Sequence, residues 1–237
     1  MTCGGNARAQ WPGGSVRRQT DPPVPVGGCA LNRGEATRFA RQYRISDSLP
    51  QPDDAFALDL YLGKCSISAS YWFGVHPAFG YYDDSDGPNA FATPVRLFGG
   101  GKDEGTVLFG NKFLHQQLGR GMESATALAV IVAHEFAHIY QYGHSCESAC
   151  PSRELEADFL AGWMLARHAK DQSDFKISAD PAEAAAVMFS YGDYLFNAPG
   201  SHGTPEQRLR AVRRGFSLGQ TGATVEEAYD AGIAGKF

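Results

Sequence analysis

Residues 124–142 have the sequence SATALAVIVAHEFAHIYQY, and this stretch decides how the rest of the chain is interpreted. It contains neither glycine nor proline, and its first half is mostly apolar. Because such a run is longer than an ordinary strand, it predicts a buried helix that begins near Ser124 and ends near Gly143. On this helix His134 and His138 are four residues apart and project from the same face.

Two imidazoles on one helical face can bind a single zinc ion. Glu135, next to the first histidine, can reach a water molecule in the open position of the metal and act as a general base. The His-Glu-x-x-His spacing is uncommon by chance, and rarer still inside an apolar helix. The pattern therefore predicts one zinc ion per chain, bound by His134 and His138; a packing role for the two histidines is the alternative.

A zinc site of this type needs a third protein ligand, and residues 152–163 offer one. Their sequence, SRELEADFLAGW, predicts a second helix. Glu154 and Asp158 share one face of it, whereas Glu156 points elsewhere. We expect Glu154 to bind the metal and Asp158 to accept a hydrogen bond from the outer nitrogen of a ligand histidine. Glu156 is the alternative ligand.

Together these residues resemble a gluzincin, a zinc peptidase whose metal ligands are two histidines and one glutamate. The order of motifs is similar to that of the CAAX prenyl protease and HtpX family. That family has an Asn-Ala-Phe-Ala segment before the zinc helix, a Glu-x-x-Ala-Asp helix after it, and then a histidine with an arginine six residues later. The matching residues are Asn89, Ala90, Phe91 and Ala92, then Glu154 and Asp158, then His202 and Arg208.

The resemblance covers roughly residues 71–216, and bacterial neutral zinc metallopeptidases are the next nearest likeness. It implies an α+β, zincin-like fold: a small, mostly antiparallel sheet packed on the active-site helix, followed by a helical C-terminal part. It also implies that the Asn-Ala-Phe-Ala segment is a substrate-binding edge strand. By the same resemblance His202 stabilises the oxyanion, and Arg208 anchors its loop through a carboxylate. Tyr191 and Tyr194 are weaker oxyanion candidates.

The expected reaction is hydrolysis of peptide bonds within a polypeptide chain. Glu135 would take a proton from the zinc-activated water and later deliver it to the leaving amine. One alternative is a zinc-binding scaffold without turnover, but the presence of Glu135 favours the enzyme. Another is a zymogen in which the thiolate of Cys3 or Cys29 occupies the open position of the metal.

The composition excludes several other classes of protein. The chain has 237 residues, a net charge of -5 and 43% hydrophobic residues, which is typical of a globular protein with one substantial core. No basic cluster indicates nucleic-acid binding, and no apolar run approaches the ~18 residues of a membrane span. The expected partner is a peptide or protein substrate, and an intramembrane substrate is not carried over from the resemblance.

The N-terminal residues and the cysteines bear on organisation and location. Residues 1–30, rich in glycine and proline, predict a flexible tail, and residues 31–237 a single zincin-like metallopeptidase domain. Cys3, followed by two glycines, would suit the first residue of a lipid-anchored protein. A disulfide between Cys146 and Cys150, between the two metal helices, would favour an oxidising compartment and hence a periplasmic or secreted protein.

The other segments carry weaker signals. Helices are predicted at residues 32–44, 53–62 and 180–194 and after Thr204 and Thr224, and strands at residues 67–75, 89–97 and 106–109. Three aspartates, Asp83, Asp84 and Asp86, predict a solvated turn, with calcium binding as the alternative.

Overall fold

The structure, a computed structural model, describes residues 31–49, 55–85, 89–118, 123–144, 151–171 and 203–235. Over this part of the chain it has seven helices and four strands, so the predicted α+β class is confirmed. The helices are α1 (Arg33–Gln42), α2 (Ala55–Phe73), α3 (Asn111–Leu118), α4 (Glu123–Gly143), α5 (Pro151–Lys170), α6 (Pro205–Thr221) and α7 (Val225–Ile233). The strands are β1 (Ile45–Ser46), β2 (Ala78–Tyr82), β3 (Ala90–Thr93) and β4 (Thr106–Gly110).

The four strands form one mixed sheet in the order β1-β2-β4-β3. The β1–β2 and β3–β4 pairs are antiparallel, as expected, whereas β2 and β4 are parallel. β3 is therefore an edge strand. Its neighbouring residue Asn89 accepts a hydrogen bond from Gly110 N–H at 2.8 Å. Because bonding alternates along an antiparallel pair, the N–H and C=O groups of Ala90 and Ala92 point away from β4.

α4 lies at the centre of the core. Its residues 126–141 are all buried, including the polar ones. The helix contacts α2 on one side, α5 on another, and the β3 and β4 strands. A second, smaller cluster packs α1 against the outer part of the sheet through Phe39, Tyr82 and Phe91. Polar side chains in the middle of α4 are thus held away from water and need partners within the protein.

One predicted strand is wrong. Residues 67–75 belong mainly to the second half of α2, which continues without a break from the helix predicted at residues 53–62. The buried residues of α2 recur at helical spacing, and we refer to them as the inner stripe: Leu58, Leu62, Cys65, Ala69 and Phe73. The inner stripe packs against α4 and α5, and this tertiary packing overrides the local preference of aromatic and β-branched residues for strands.

Asp84 does not lie in a solvated turn, which corrects the prediction for this residue. It is 1% exposed. Its carboxylate accepts hydrogen bonds from the backbone N–H groups of Asn89, Lys112 and Phe113. Two of these donors are in the first turn of α3, where N–H groups have no partner within the helix. The carboxylate therefore joins the end of β2 to the start of α3; Asp86 lies outside the described residues.

Three predicted helix starts are confirmed. Asn32, Thr204 and Thr224 are the N-caps of α1, α6 and α7, and the side chain of each accepts a backbone N–H three residues later. Each also forms the reciprocal bond of a capping box. The helix predicted at residues 180–194 lies outside the described residues. No described helix is long and apolar enough to cross a membrane.

α5 and α6 run side by side in the same direction, and their backbones are in close contact. A Cβ atom on Gly162 would overlap the carbonyl oxygen of Val212, and one on Gly215 would overlap that of Phe159. Because side chains are missing at these two points, the helices approach more closely than ordinary packing allows. This contact places the N-terminal half of α6 against the part of α5 that carries the acidic residues.

Candidate metal centre

Three potential metal ligands converge in the core between α4 and α5. His134 Nε2 lies 3.0 Å from His138 Nε2 and 3.4 Å from Glu154 Oε2. The other oxygen of Glu154, Oε1, lies 3.6 Å from His138 Nε2. Ligand atoms arranged tetrahedrally at ~2.1 Å from a metal ion are about 3.4 Å apart. The three separations therefore suit a single ion, and the side chains are at most 3% exposed.

The positions of these residues in their helices explain the geometry. His134 and His138 are one turn apart on the face of α4 that meets α5. Glu154 is in the first turn of α5, where the partial positive charge of the helix terminus favours a carboxylate. The local sequence therefore presents two imidazoles and one carboxylate to the same point.

Asp158 connects His134 to Arg208. Its Oδ1 atom lies 2.9 Å from His134 Nδ1. Arg208 donates to Asp158 Oδ2 from Nε at 2.6 Å and to Oδ1 from Nη2 at 2.7 Å. Burial alone would raise the pKa of Asp158, but the Arg208 guanidinium outweighs it and the pKa is lowered. The ionised carboxylate keeps a proton on His134 Nδ1, so that Nε2 can offer its lone pair to a metal ion.

Gln141 contacts His138 in the way that Asp158 contacts His134. This role of Gln141 was not predicted from the sequence. Its Oε1 atom lies 2.8 Å from His138 Nδ1, and its Nε2 atom donates to the Arg153 carbonyl at 3.1 Å. Because the amide nitrogen is used by Arg153, the amide oxygen faces the histidine and accepts from it. The available signal was the spacing, since residues three apart on a helix are neighbours.

The pKa values of the two histidines shift in opposite directions. Burial lowers the pKa of both. For His134 the hydrogen bonds and charges of Asp158 and Glu154 outweigh burial and raise the pKa to about 9. For His138 burial prevails, and the pKa is lowered. Metal binding displaces protons from ligand nitrogens, and the negative charge that holds a proton at His134 also attracts a metal cation.

Glu135 lies fully buried beside this cluster, and neither of its carboxylate oxygens has a hydrogen bond to a described side chain. Burial raises its pKa to about 8, although the charge of His134 opposes the rise. The N–H of Ala92, on the outward side of β3, is near enough to lower this pKa slightly. A buried carboxyl group that the described residues compensate so little is costly, and this cost calls for a functional explanation.

Glu156, the alternative ligand, is not part of the cluster. Among the described residues that could hold a metal, only His134, His138 and Glu154 form a group. The Glu156 side chain instead packs against Gly232 of α7, where an added Cβ would lie 2.8 Å from Glu156 Cγ. The structure thus favours Glu154 as the third ligand, as the helical spacing predicted.

The Asn-Ala-Phe-Ala segment lies at the edge of the sheet, with Ala90, Phe91 and Ala92 in β3 and Asn89 just before it. The Ala92 carbonyl accepts a hydrogen bond from Leu31 N–H at 3.0 Å. Other predicted residues lie outside the described part of the chain: His202, Tyr191, Tyr194, Cys3, Cys29, Cys146 and Cys150.

No protein-family model, curated protein or solved structure matches this chain. The likeness to gluzincins and the zincin-like assignment of the fold therefore stay predictions. The described residues show a buried group that can hold a metal ion.

Proposed function

We propose that this protein is a zinc-dependent endopeptidase that binds its metal through His134, His138 and Glu154. The observation that carries the proposal is the position of Glu135, a buried carboxyl group next to His134 that the backbone N–H of Ala92 approaches and that has no side-chain hydrogen-bond partner among the described residues. Two imidazoles and one carboxylate form a donor set typical of catalytic zinc, in which a fourth position stays open. Bound zinc would polarise the scissile carbonyl and lower the pKa of a water molecule.

Glu135 serves as the general base in this proposal. Burial raises its pKa to about 8, close to neutral pH, where a group can both accept and donate a proton. A nearby metal cation lowers that pKa and favours the ionised, proton-accepting form. The carboxylate takes a proton from the attacking water and passes it to the leaving nitrogen of the peptide bond.

Asp158, Arg208 and Gln141 orient the ligands. The contacts of Asp158 with His134 and of Gln141 with His138 place a proton acceptor at each Nδ1 atom, so both Nε2 atoms face Glu154. Arg208 keeps Asp158 ionised and fixed in position. These three residues therefore act on the reaction through the geometry of the ligands.

The geometry of β3 supports an extended polypeptide as the proposed substrate. The N–H and C=O groups of Ala90 point away from β4, beside the strand residue that approaches Glu135, and in this proposal they pair with an extended polypeptide by strand addition. Because Ala90 is buried in this structure, the segment that covers it has to move aside first. Unfolded protein segments and flexible peptides can adopt this form. A folded domain without a loose segment cannot.

A zinc-binding scaffold without turnover is the second candidate. It is favoured by the burial of the cluster, in which no side chain is more than 3% exposed. A metal held only for structure has a closed coordination sphere and needs no general base. The endopeptidase requires Glu135 as a general base, whereas the scaffold does not.

The test compares wild-type protein with Glu135→Gln and with the control Glu226→Gln, which changes an exposed carboxylate on α7 away from the cluster. Metal content is measured by mass spectrometry, and cleavage is measured on unfolded casein. We expect one zinc per chain in all three proteins, with cleavage reduced about 10²–10⁴-fold in Glu135→Gln only. Zinc without cleavage in the wild type favours the scaffold, and absence of zinc refutes the site.

A further inference from the structure

α2 has a second apolar face, which the fold leaves exposed. Phe56 is 69% exposed, Leu60 51%, Ile67 71% and Tyr71 70%. At about 100° per residue these four side chains lie within a sector of about 60°, opposite the inner stripe that packs into the core. We refer to these four residues as the outer stripe of α2.

The outer stripe is larger than the scattered apolar residues of an ordinary surface. With about 200 Å² for a fully exposed large side chain, the four exposed fractions correspond to about 500 Å². A contiguous apolar patch of this size usually marks a binding surface. The inner stripe already supplies the contacts of α2 with the core, so the outer stripe is not needed for folding of the chain around α4.

The pattern of the outer stripe is symmetric about its middle. Phe56 and Tyr71 are equally far from that point, and so are Leu60 and Ile67. If two copies of α2 pack antiparallel about a two-fold axis there, Phe56 of one copy meets Tyr71 of the other. In the same arrangement Leu60 meets Ile67. A two-fold interface requires such self-complementarity, because the same surface is used by both copies.

Gly63 lies at the middle of the stripe. A Cβ atom added to it would have no neighbour within 4 Å, so the helix backbone is open to close approach at this point. Gly63 lies between Leu60 and Ile67, and when it is counted the successive spacings from Phe56 to Tyr71 are four, three, four and four residues. Apolar residues separated by three or four positions form the seam of paired helices.

We propose that this protein forms a homodimer in which the outer stripes of two α2 helices pack antiparallel about a two-fold axis. Two stripes together bury about 1,000 Å², which reaches the area that a specific interface needs. The alternative of an anionic lipid surface is disfavoured by the net charge of -5 and by the presence of only one lysine, Lys64, in α2. The proposal is independent of catalysis.

Size-exclusion chromatography with light scattering tests the dimer in the full chain. The wild type is expected at twice its mass of 25.5 kDa. L60E/I67E is expected to be monomeric, because four buried carboxylates would meet across the axis. L60E/I67K is expected to recover the dimer, because antiparallel packing puts each new glutamate opposite a new lysine. In a parallel pair the same change would bring like charges together.

Ile233→Glu is the matched control, since Ile233 is an exposed apolar residue (61%) on α7 away from the stripe. It is expected to leave the dimer intact. Circular dichroism and thermal unfolding check that the variants fold. A wild-type monomer at all concentrations overturns the proposal, as does a dimer that survives L60E/I67E. Loss of the dimer in L60E/I67K overturns the antiparallel arrangement, and binding of a monomer to anionic vesicles through the stripe indicates a lipid surface instead.

Discussion

Arg208 donates two hydrogen bonds, of 2.6 and 2.7 Å, to Asp158 across the contact between α6 and α5. Asp158 in turn lies 2.9 Å from His134 on α4. Three helices, α4, α5 and the more distant α6, are thus joined through one carboxylate. Through these bonds Arg208 contacts Asp158 and not a candidate metal ligand. Because Asp158 contacts His134, a change at Arg208 is still expected to alter the candidate metal centre.

Replacing Arg208 by glutamine is expected to weaken both the fold and metal binding. Asp158 would be left as a buried charge with a weaker partner, which costs about 3–5 kcal/mol of unfolding free energy. Metal affinity should fall about 10–100-fold, because His134 would be less well oriented. Urea unfolding and zinc titration against a chelator measure the two effects. Arg210→Gln, an exposed change on the same helix, is the control, and equal effects of both variants would contradict the interpretation.

Removing the acceptor at His138 is expected to weaken metal binding and to cost about 1–3 kcal/mol of stability, because the buried Arg153 carbonyl also loses its donor. In Gln141→Leu the Nδ1 proton of His138 loses its acceptor, and affinity for zinc should fall about 10–100-fold. Gln220→Leu makes the same chemical change at an exposed position of α6 and should have no effect. The measurement is the same chelator competition. Unchanged affinity in Gln141→Leu would show that Gln141 has no part in holding the histidine.

The metal-free protein is expected to lose stability as the pH rises from about 6.5 to 9. The folded-state pKa of His134 is raised from 6.5 to about 9. The stability that this histidine contributes is therefore fully present below its unfolded-state pKa and is lost as the pH rises through 9. Glu135, with a pKa raised to about 8, acts in the same direction because the folded state binds its proton more tightly. Thermal unfolding in chelator at a series of pH values measures the trend.

Glu135→Gln provides the internal control for this trend, because it removes one of the two groups. Its stability should fall less steeply between pH 6.5 and 8 than that of the wild type. A wild-type protein whose stability is constant from pH 6.5 to 9 would contradict the raised pKa values.

Two glycine-to-alanine changes are expected to have opposite effects. In Gly215→Ala the new methyl group meets the Phe159 carbonyl oxygen and pushes α6 away from α5, which should cost about 1–3 kcal/mol. In Gly143→Ala the methyl group meets nothing within 4 Å, and the smaller entropy of the unfolded chain should stabilise the protein by about 0.4–1 kcal/mol. Urea unfolding measures both, and a stabilising Gly215→Ala would refute the close contact.

The metal cluster could be predicted from the sequence because helical periodicity alone determines which side chains share a face. His134 and His138 on α4, and Glu154 and Asp158 on α5, needed only the spacing of four residues. Gln141 also shares a helical face with His138, because it is three residues later. A glutamine near a helix end is common on ordinary helices, however, so this spacing alone does not predict a contact with a metal ligand. Its role depends on Arg153, whose carbonyl turns the amide oxygen towards the histidine.

The errors concern features that depend on distant parts of the chain. The strand predicted at residues 67–75 followed local preferences, although the inner stripe of α2 continues through Cys65 and Ala69 to Phe73. Asp84 was predicted in a solvated turn because its burial depends on α3, more than 25 residues later. Local patterns also cannot predict the parallel pairing of β2 with β4, since the sequence of a strand does not indicate in which direction its neighbour runs.

In the proposed endopeptidase, the hydrogen bond from Leu31 to the Ala92 carbonyl would limit how a polypeptide can lie along β3. Of the two residues in β3 that point outward, Ala90 and Ala92, the second already has a backbone partner from the same chain. In the proposed endopeptidase, a chain paired with Ala90 would meet Leu31 in the direction of Ala92 and could not extend past it along β3. The position of Leu31 would then determine how many residues a bound polypeptide can extend to one side of the scissile bond.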